Sequence, residues 1–135
     1  MSWNIAQRTL GPLHCTVVET EQAAETPELA VVLCHGFGAP GTDLVPLGPE
    51  LIHRAGPAAQ DVRFYFPAAP LSLAQMGYAE GRAWWMLDLD VLAAAAEGRL
   101  KRDLRDERPE GLDAAAGQLR ETVEAIAAET GLSPQ

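Results

Sequence analysis

The sequence predicts an α/β fold, a sheet with helices packed against it, and three stretches carry that reading. Residues 29–34, Leu-Ala-Val-Val-Leu-Cys, form a continuous apolar run, as expected of a strand covered on both faces. The run breaks at His35-Gly36 into a loop holding Gly36, Gly38 and Gly41, and glycine lets a main chain approach a ligand with no Cβ in the way. Residues 113–130 form an amphipathic helix closed by Gly131.

In chain order, residues 13–19 are rich in β-branched side chains around Thr16, Val17 and Val18 and read as a strand. Residues 21–28 are acidic and contain Pro27, a solvated hairpin connection into the strand at 29–34. After the glycine loop, Thr42 or Asp43 is placed to cap a helical turn, and Leu44, Leu47, Leu51, Ile52 and Ala55 recur at helical spacing. Pro46 and Pro49 disturb its start; Pro49 suits the first position of a shorter helix ending near Gly56. Residues 62–66 are a third strand, stopped by Pro67-Ala68-Ala69-Pro70.

Residues 71–90 show no clear period but carry Tyr78, Trp84, Trp85 and Met86, so they read as a long structured loop. Residues 91–108 look helical, with Glu97–Lys101, Arg99–Asp103 and Arg102–Asp106 as i,i+4 pairs on a solvated face. In the final helix Leu112, Ala116, Leu119, Val123 and Ile126 form the apolar stripe. A helix, a glycine stop and a polar turn lead into a further strand in an α/β sheet. None follows, so the 135 residues read as a single incomplete domain, residues 1–135.

Composition narrows the function. An apolar content of 47% is that of a globular chain. A net charge of −9 excludes nucleic acid as the expected partner, because phosphate binding needs a concentrated positive surface. Cys15 and Cys34 both fall in strand-like stretches and are expected to be buried thiols. No apolar h-region opens the chain and no run approaches the roughly 18 residues of a membrane span. A cytoplasmic protein is the expectation.

Three readings compete for the glycine loop: an oxyanion loop written His35-Gly36-Phe37-Gly38, a dinucleotide fingerprint spelled by Gly36, Gly38 and Gly41, and a tight turn with no ligand. The dinucleotide motif wants a helix opening inside the loop and an acid at the end of the next strand. Pro40 and the proline-broken helix suit it poorly, and Asp61 stands before residues 62–66. His14, His35 and His53 show no metal-ligand spacing.

Four segments in order, residues 33–39 (Leu-Cys-His-Gly-Phe-Gly-Ala), 43–47 (Asp-Leu-Val-Pro-Leu), 66–70 (Phe-Pro-Ala-Ala-Pro) and 81–88 (Gly-Arg-Ala-Trp-Trp-Met-Leu-Asp), resemble the phospholipase/carboxylesterase group of α/β-hydrolases. That group includes acyl-protein thioesterases and bacterial carboxylesterases. The resemblance covers residues 29–131 and implies the N-terminal portion of a serine hydrolase of carboxylic esters or thioesters, needing no cofactor and acting on a small-molecule ester. It implies that the Phe37 N–H is an oxyanion donor, that Gly36 and Gly38 let the main chain turn, that His35 supports the loop, and that Trp84 and Trp85 wall an acyl pocket. Plain core packing is the alternative for either tryptophan.

The chain departs from that pattern at the chemistry. The nucleophile belongs in a G-x-S-x-G elbow, and the serines are Ser2, Ser72 and Ser133. Ser133 fails because Pro134 has no N–H to offer the oxyanion, and because a helix precedes it. Cys34 and His35 are adjacent and point to opposite faces. Nucleophile, acid and base are therefore expected beyond residue 135, as if the chain stops before its elbow, leaving a sheet edge and a helix face open to self-association. A different class of explanation is a non-catalytic binding or regulatory module that pairs with another chain.

Overall fold

The computed structural model describes residues 2–99, 105 and 107–135. Its main sheet contains β1 (Trp3–Leu10), β2 (Leu13–Thr20), β3 (Leu29–Val32) and β4 (Val62–Pro67), in the spatial order β1-β2-β4-β3. The β1–β2 and β2–β4 pairs are antiparallel, and β3–β4 is parallel. Three helices are described, α1 (Leu47–Ala55), α2 (Leu89–Ala96) and α3 (Leu112–Thr130). Two-residue strands β5 (Leu71–Ser72) and β6 (Arg82–Ala83) form a small separate ribbon.

Alternation along β4 builds two cores. Phe64 and Phe66 face one side, where Val18, Ile52 and Ala59 close over them with help from Val31 and Leu33. Tyr65 faces the other, among Cys15, Val17, Leu10 and Ile126. Neighbouring residues of a strand point to opposite faces, so one run of apolar residues supplies both layers, with α1 on one side and α3 on the other. This explains why residues 29–34 read as a continuous apolar strand and why residues 62–66 carry apolar side chains on both faces.

Polar bonds fix α3 to its face. Thr122 is fully buried and donates from Oγ1 to the Leu10 carbonyl at 2.8 Å. The Tyr65 hydroxyl donates to Glu129 Oε1 at 2.6 Å, and Glu129 also pairs with Arg8 on β1. Beside them the buried Arg63 guanidinium is met by Glu19 at 2.7 Å and by the Glu25 carbonyl at 3.0 Å. A charge taken out of water needs such partners, or it costs several kcal/mol (about 3–5 when one is removed).

Several expectations need correction. β1 lies outside the predicted set, although Gly11-Pro12 between two runs of similar length is a turn signal. Residues 21–28 do not close a hairpin, because β4 inserts between β2 and β3. On α1 the buried residues are Gly48 and Ile52, whereas Leu47 and Leu51 are 43% and 42% exposed and Ala55 is exposed too. The second helix begins at Leu89, where Asp88 accepts from the Asp90 and Val91 amides, and it ends at Ala96 before Gly98. Arg99 pairs with Glu97; the expected pairs reaching Lys101, Asp103 and Asp106 lie outside the described residues.

On α3 the buried line runs through Ala115, Thr122, Ile126 and Thr130, while Ala116 is exposed and Leu119 and Val123 are half-buried. The expected stripe counts apolar side chains alone, whereas two threonines take core positions by bonding main-chain carbonyls. Cys15 is buried as expected; Cys34 lies beyond β3 and is exposed.

The neighbouring Leu51 and Ile52 separate cleanly by substitution. Ile52→Ala should cost about 2–5 kcal/mol in denaturant unfolding, as a buried aliphatic truncation does, and Leu51→Ala within about 0.5 kcal/mol.

Alkaline pH should also weaken the fold. Burial pushes the Cys15 thiol from 9.0 up to about 11, with Cys34 and Glu129 adding to it. Burial pushes the Tyr65 hydroxyl from 10.0 up to about 12, reinforced by its bond to Glu129. Both hold their protons more tightly folded than unfolded, so their contribution is complete below the unfolded values and is lost as pH rises through the folded ones. The melting temperature is expected to fall between pH 9 and 12, and Tyr65→Phe to flatten the upper part of that fall, as calorimetry would show.

Candidate functional site

The parallel strands β3 and β4 end side by side, and their carboxyl ends deliver residues 34–41 and 67–70 to the same edge. Ligands of open α/β sheets sit beyond that edge. The loops there are fastened to each other by side chains and main chain alike.

His35 is 4% exposed and engaged on both ring nitrogens. Nδ1 lies 2.8 Å from the Gly36 carbonyl, and Nε2 accepts the Ala69 N–H at 3.0 Å. Those partners assign the neutral tautomer with its proton on Nδ1. Such a ring has no free lone pair with which to act as a base. The Trp84 indole N–H donates to the His35 carbonyl at 2.8 Å, and the two ring centroids are 5.7 Å apart.

A second clamp comes from Arg82. The Gly38 N–H donates to the Arg82 carbonyl at 2.9 Å, and the Arg82 N–H donates back to the Ala39 carbonyl at 3.0 Å. The guanidinium of Arg82 donates to the Ala69 carbonyl at 2.5 Å and to that of Pro70 at 3.1 Å. Gly81 permits this approach, since a Cβ there would stand 2.7 Å from the Gly38 oxygen. Residues 43–47 join through the Asp43 N–H to the Pro40 carbonyl at 3.0 Å and through Leu44 and Val45, which pack on the α1-side core. The four sequence segments that carry the resemblance therefore meet at one place.

Within this frame the Gly36 and Phe37 N–H groups both lack an acceptor among the described residues. Gly38 and Ala39 spend their amides on Arg82 and Gly36, and among the described residues no acceptor meets the N–H of Phe37. Gly38 takes φ +84°, a conformation that favours glycine. Gly36 does not, and a Cβ there would meet nothing within 4 Å.

Trp84 and Trp85 are both half-buried. Trp84 is committed to the underside of the loop, while Trp85 lies against Gly111 at the start of α3, where a Cβ would come within 3.2 Å of its own. Ser2 bonds Glu21, Ser72 accepts the Ala74 N–H at 3.2 Å, and Ser133 is exposed near the C-terminus. Among the described residues no histidine is hydrogen-bonded to any of them. Cys34 sits at the root of the loop; the residue is exposed, yet desolvation of its sulfur raises the thiol above 9.0, away from thiolate chemistry at neutral pH.

α1 starts at Leu47, so no helix opens within residues 36–41, and Asp61 bonds the Ala24 amide at 3.0 Å at the far end of β4. Neither feature serves a dinucleotide. Among the described residues no group of three or more His, Cys, Asp or Glu side chains gathers to hold a metal, and no helix is long and apolar enough to cross a membrane. Ala69 and Arg82 hold the loop and were not singled out from sequence. Arg82 carried a signal, being the cation inside residues 81–88, whereas Ala69 acts through its main chain and carried none.

In three dimensions the chain is similar to the crystal structure of esterase PE8, with 25% sequence identity and a TM-score of 0.56. The match covers 99% of this chain and 49% of that one, so the chain spans about half the length of that esterase. The relationship is to a hydrolase fold. No family model and no curated protein matches the sequence.

The two glycines of the loop should behave differently. Gly38→Ala is expected to lose about 1 kcal/mol or more, because alanine resists a positive φ, while Gly36→Ala stays within about 0.5 kcal/mol. Thermal melts of the two variants check this.

Proposed function

We propose that this chain supplies the oxyanion loop and part of the acyl pocket of a serine hydrolase of carboxylic esters or thioesters, of the phospholipase/carboxylesterase kind, and is inactive by itself. The observation that carries the reading is the Phe37 amide, which meets no acceptor among the described residues and sits on a loop fastened by His35 and Arg82. Ester hydrolysis passes through a tetrahedral oxyanion, and donors fixed in advance stabilise it without reorganising as charge develops. In this chemistry a second donor follows the nucleophile, and in this reading both come from outside these 135 residues, together with the acid and base.

The role of each residue follows. Phe37 donates from its main chain, Gly38 supplies the turn, and Gly36 leaves room for the substrate oxygen. His35 holds the loop by joining Gly36 to Ala69. Trp84 and Trp85, with the exposed Met86 and Leu89 beyond them, offer apolar surface for an acyl group. The likeness to half of an esterase supports an ester substrate.

A second reading, a non-catalytic module that pairs with another chain, is favoured by the outer edge of β3, which no strand among the described residues pairs. Fluorophosphonate labelling separates the two. The 135-residue chain alone should take up no probe, since a serine hydroxyl is a poor nucleophile without an aligned base. Joined to a nucleophile-bearing segment it should label and turn over p-nitrophenyl esters. Gly36→Val in that joined protein should lower kcat about 10²–10³-fold, the loss typical of an oxyanion donor, with KM little changed. Unchanged kcat in a folded variant removes the oxyanion assignment.

A further inference from the structure

β1 and β3 are the two outer strands of the main sheet, and β1 is the longer, 8 residues against 4. Its antiparallel register with β2 runs without a break, and every residue of it but Leu10 is exposed. The Glu21 N–H donates to the Ser2 carbonyl at 3.1 Å. Hydrogen-bonded and non-hydrogen-bonded pairs alternate along an antiparallel ladder, so Asn4, Ala6, Arg8 and Leu10 bond β2. Trp3, Ile5, Gln7 and Thr9 therefore turn their N–H and C=O groups outward, and among the described residues no turn or loop meets them.

A long open edge invites pairing, and natural edges are blunted by lysine, proline or a bulge. β1 has none of these. Its single charge, Arg8, is drawn onto α3 by Glu129. Apolar surface accompanies the outward groups: Trp3 is 41% and Ile5 53% exposed, and Ile5 stands opposite Val18 on the α1 side of the sheet. No acidic side chain occurs in residues 1–18 of a chain whose net charge is −9. The edge is thus a nearly neutral strip on an acidic molecule, where two copies meet with least repulsion.

We propose that β1 is a homodimer edge, on which a second copy of this chain pairs antiparallel about a two-fold axis and joins the two sheets into one. A two-fold axis crossing the seam gives the strands that direction. Because the outward groups belong to odd-numbered residues, only registers that join odd to odd form hydrogen bonds. The register that uses Trp3, Ile5, Gln7 and Thr9 together sets Trp3 against Thr9 and Ile5 against Gln7 of the second copy. It places Ala6 on the axis beside its own counterpart, in a non-hydrogen-bonded pair, the closer kind at about 4.5 Å between Cα atoms. A small side chain suits that position. Arg8 then faces Asn4, so no like charges are opposed. A foreign strand would find the same amides without this self-complementarity. The dimer leaves β3 and the loop at residues 34–41 untouched, so it stands independently of the proposed function.

The test uses the 135-residue chain as a Cys34→Ser variant, which removes the exposed thiol. Sedimentation velocity should show a dimer that dissociates on dilution. Ile5→Lys should raise its dissociation constant at least about tenfold, because each copy brings a charge to the seam. Gln7→Pro deletes an outward N–H, leaves the β2 ladder intact and should do the same. Should loss of the Gln7 bonds to His14 and Thr16 disturb β1, Ile5→Lys reads the same edge at an exposed position. Leu29→Lys, exposed on the opposite outer strand, should change nothing. Under copper–phenanthroline oxidation Ala6→Cys should cross-link two copies, since its Cα separation suits a disulfide. Asn4→Cys, set against Arg8, should not. A chain that is monomeric at every concentration overturns the proposal. So does a dimer that ignores Ile5→Lys or is lost with Leu29→Lys, and so does equal cross-linking of the two cysteine variants.

Discussion

Strand β4 has to satisfy two neighbours and two faces at once, and the rest of the structure follows from how it does so. It pairs antiparallel with β2 and parallel with β3, which leaves none of its edges to water. Its side chains are then shared between opposite cores, so an apolar residue at nearly every position is required. The exception is Arg63, 8% exposed, whose charge is tolerated because Glu19, Glu25 and Tyr65 surround it. Parallel pairing with β3 has a further effect. It forces a crossover, and the crossover is where the glycine loop and α1 are carried.

The loop at the end of that crossover is organised by polar bonds rather than by burial. His35 joins its own strand to the end of β4 through Ala69, and Arg82 joins both to the β6 segment. The arrangement is reciprocal, since Gly38 and Arg82 exchange main-chain bonds while Arg82 and His35 both reach Ala69. Removing one member would leave others buried and unpaired, which costs more than the bond itself is worth. A main-chain donor held in this way needs little reorganisation to meet a developing negative charge, the condition under which electrostatic catalysis is largest.

The sequence made the inner strands and the loop legible and obscured the outer parts. Residues 29–34 announced themselves as an unbroken apolar run that packs toward both cores, and residues 62–66 did so with Arg63 as their one charged position. β1 was missed for the opposite reason: nearly all of it is exposed, with Gln7 and Arg8 among its residues, so no alternation marks it. The position of β4 between β2 and β3 could not be read locally, because pairing order is set by tertiary contact. On α1 and α3 the period was right and the face was wrong. Gly48 is buried where Leu47 is not, and Thr122 is buried where Ala116 is not; close approach and carbonyl bonding outweighed hydrophobicity there. The glycine loop could be located, but its fastening through the Ala69 main chain is written in no side chain.

The strand order also dictates a sequence of events during folding. β1 and β2 form a hairpin of neighbours in sequence, but the hairpin's inner edge is completed only by β4, with Val18 beside Phe64 and Cys15 beside Pro67. β3 likewise has no partner until Val62 arrives to meet Leu29. Before residue 62 is made, β1 and β2 have only each other and β3 has no partner, which leaves Val17, Val18 and Val31 uncovered until the central strand follows. Non-local pairing of this kind is slow and leaves apolar edges open in the interval. The acidic connection at residues 21–28, with Glu21, Glu25 and Glu28 between two such strands, keeps like charge beside the waiting edges, and that repulsion guards the nascent chain against pairing with its neighbours.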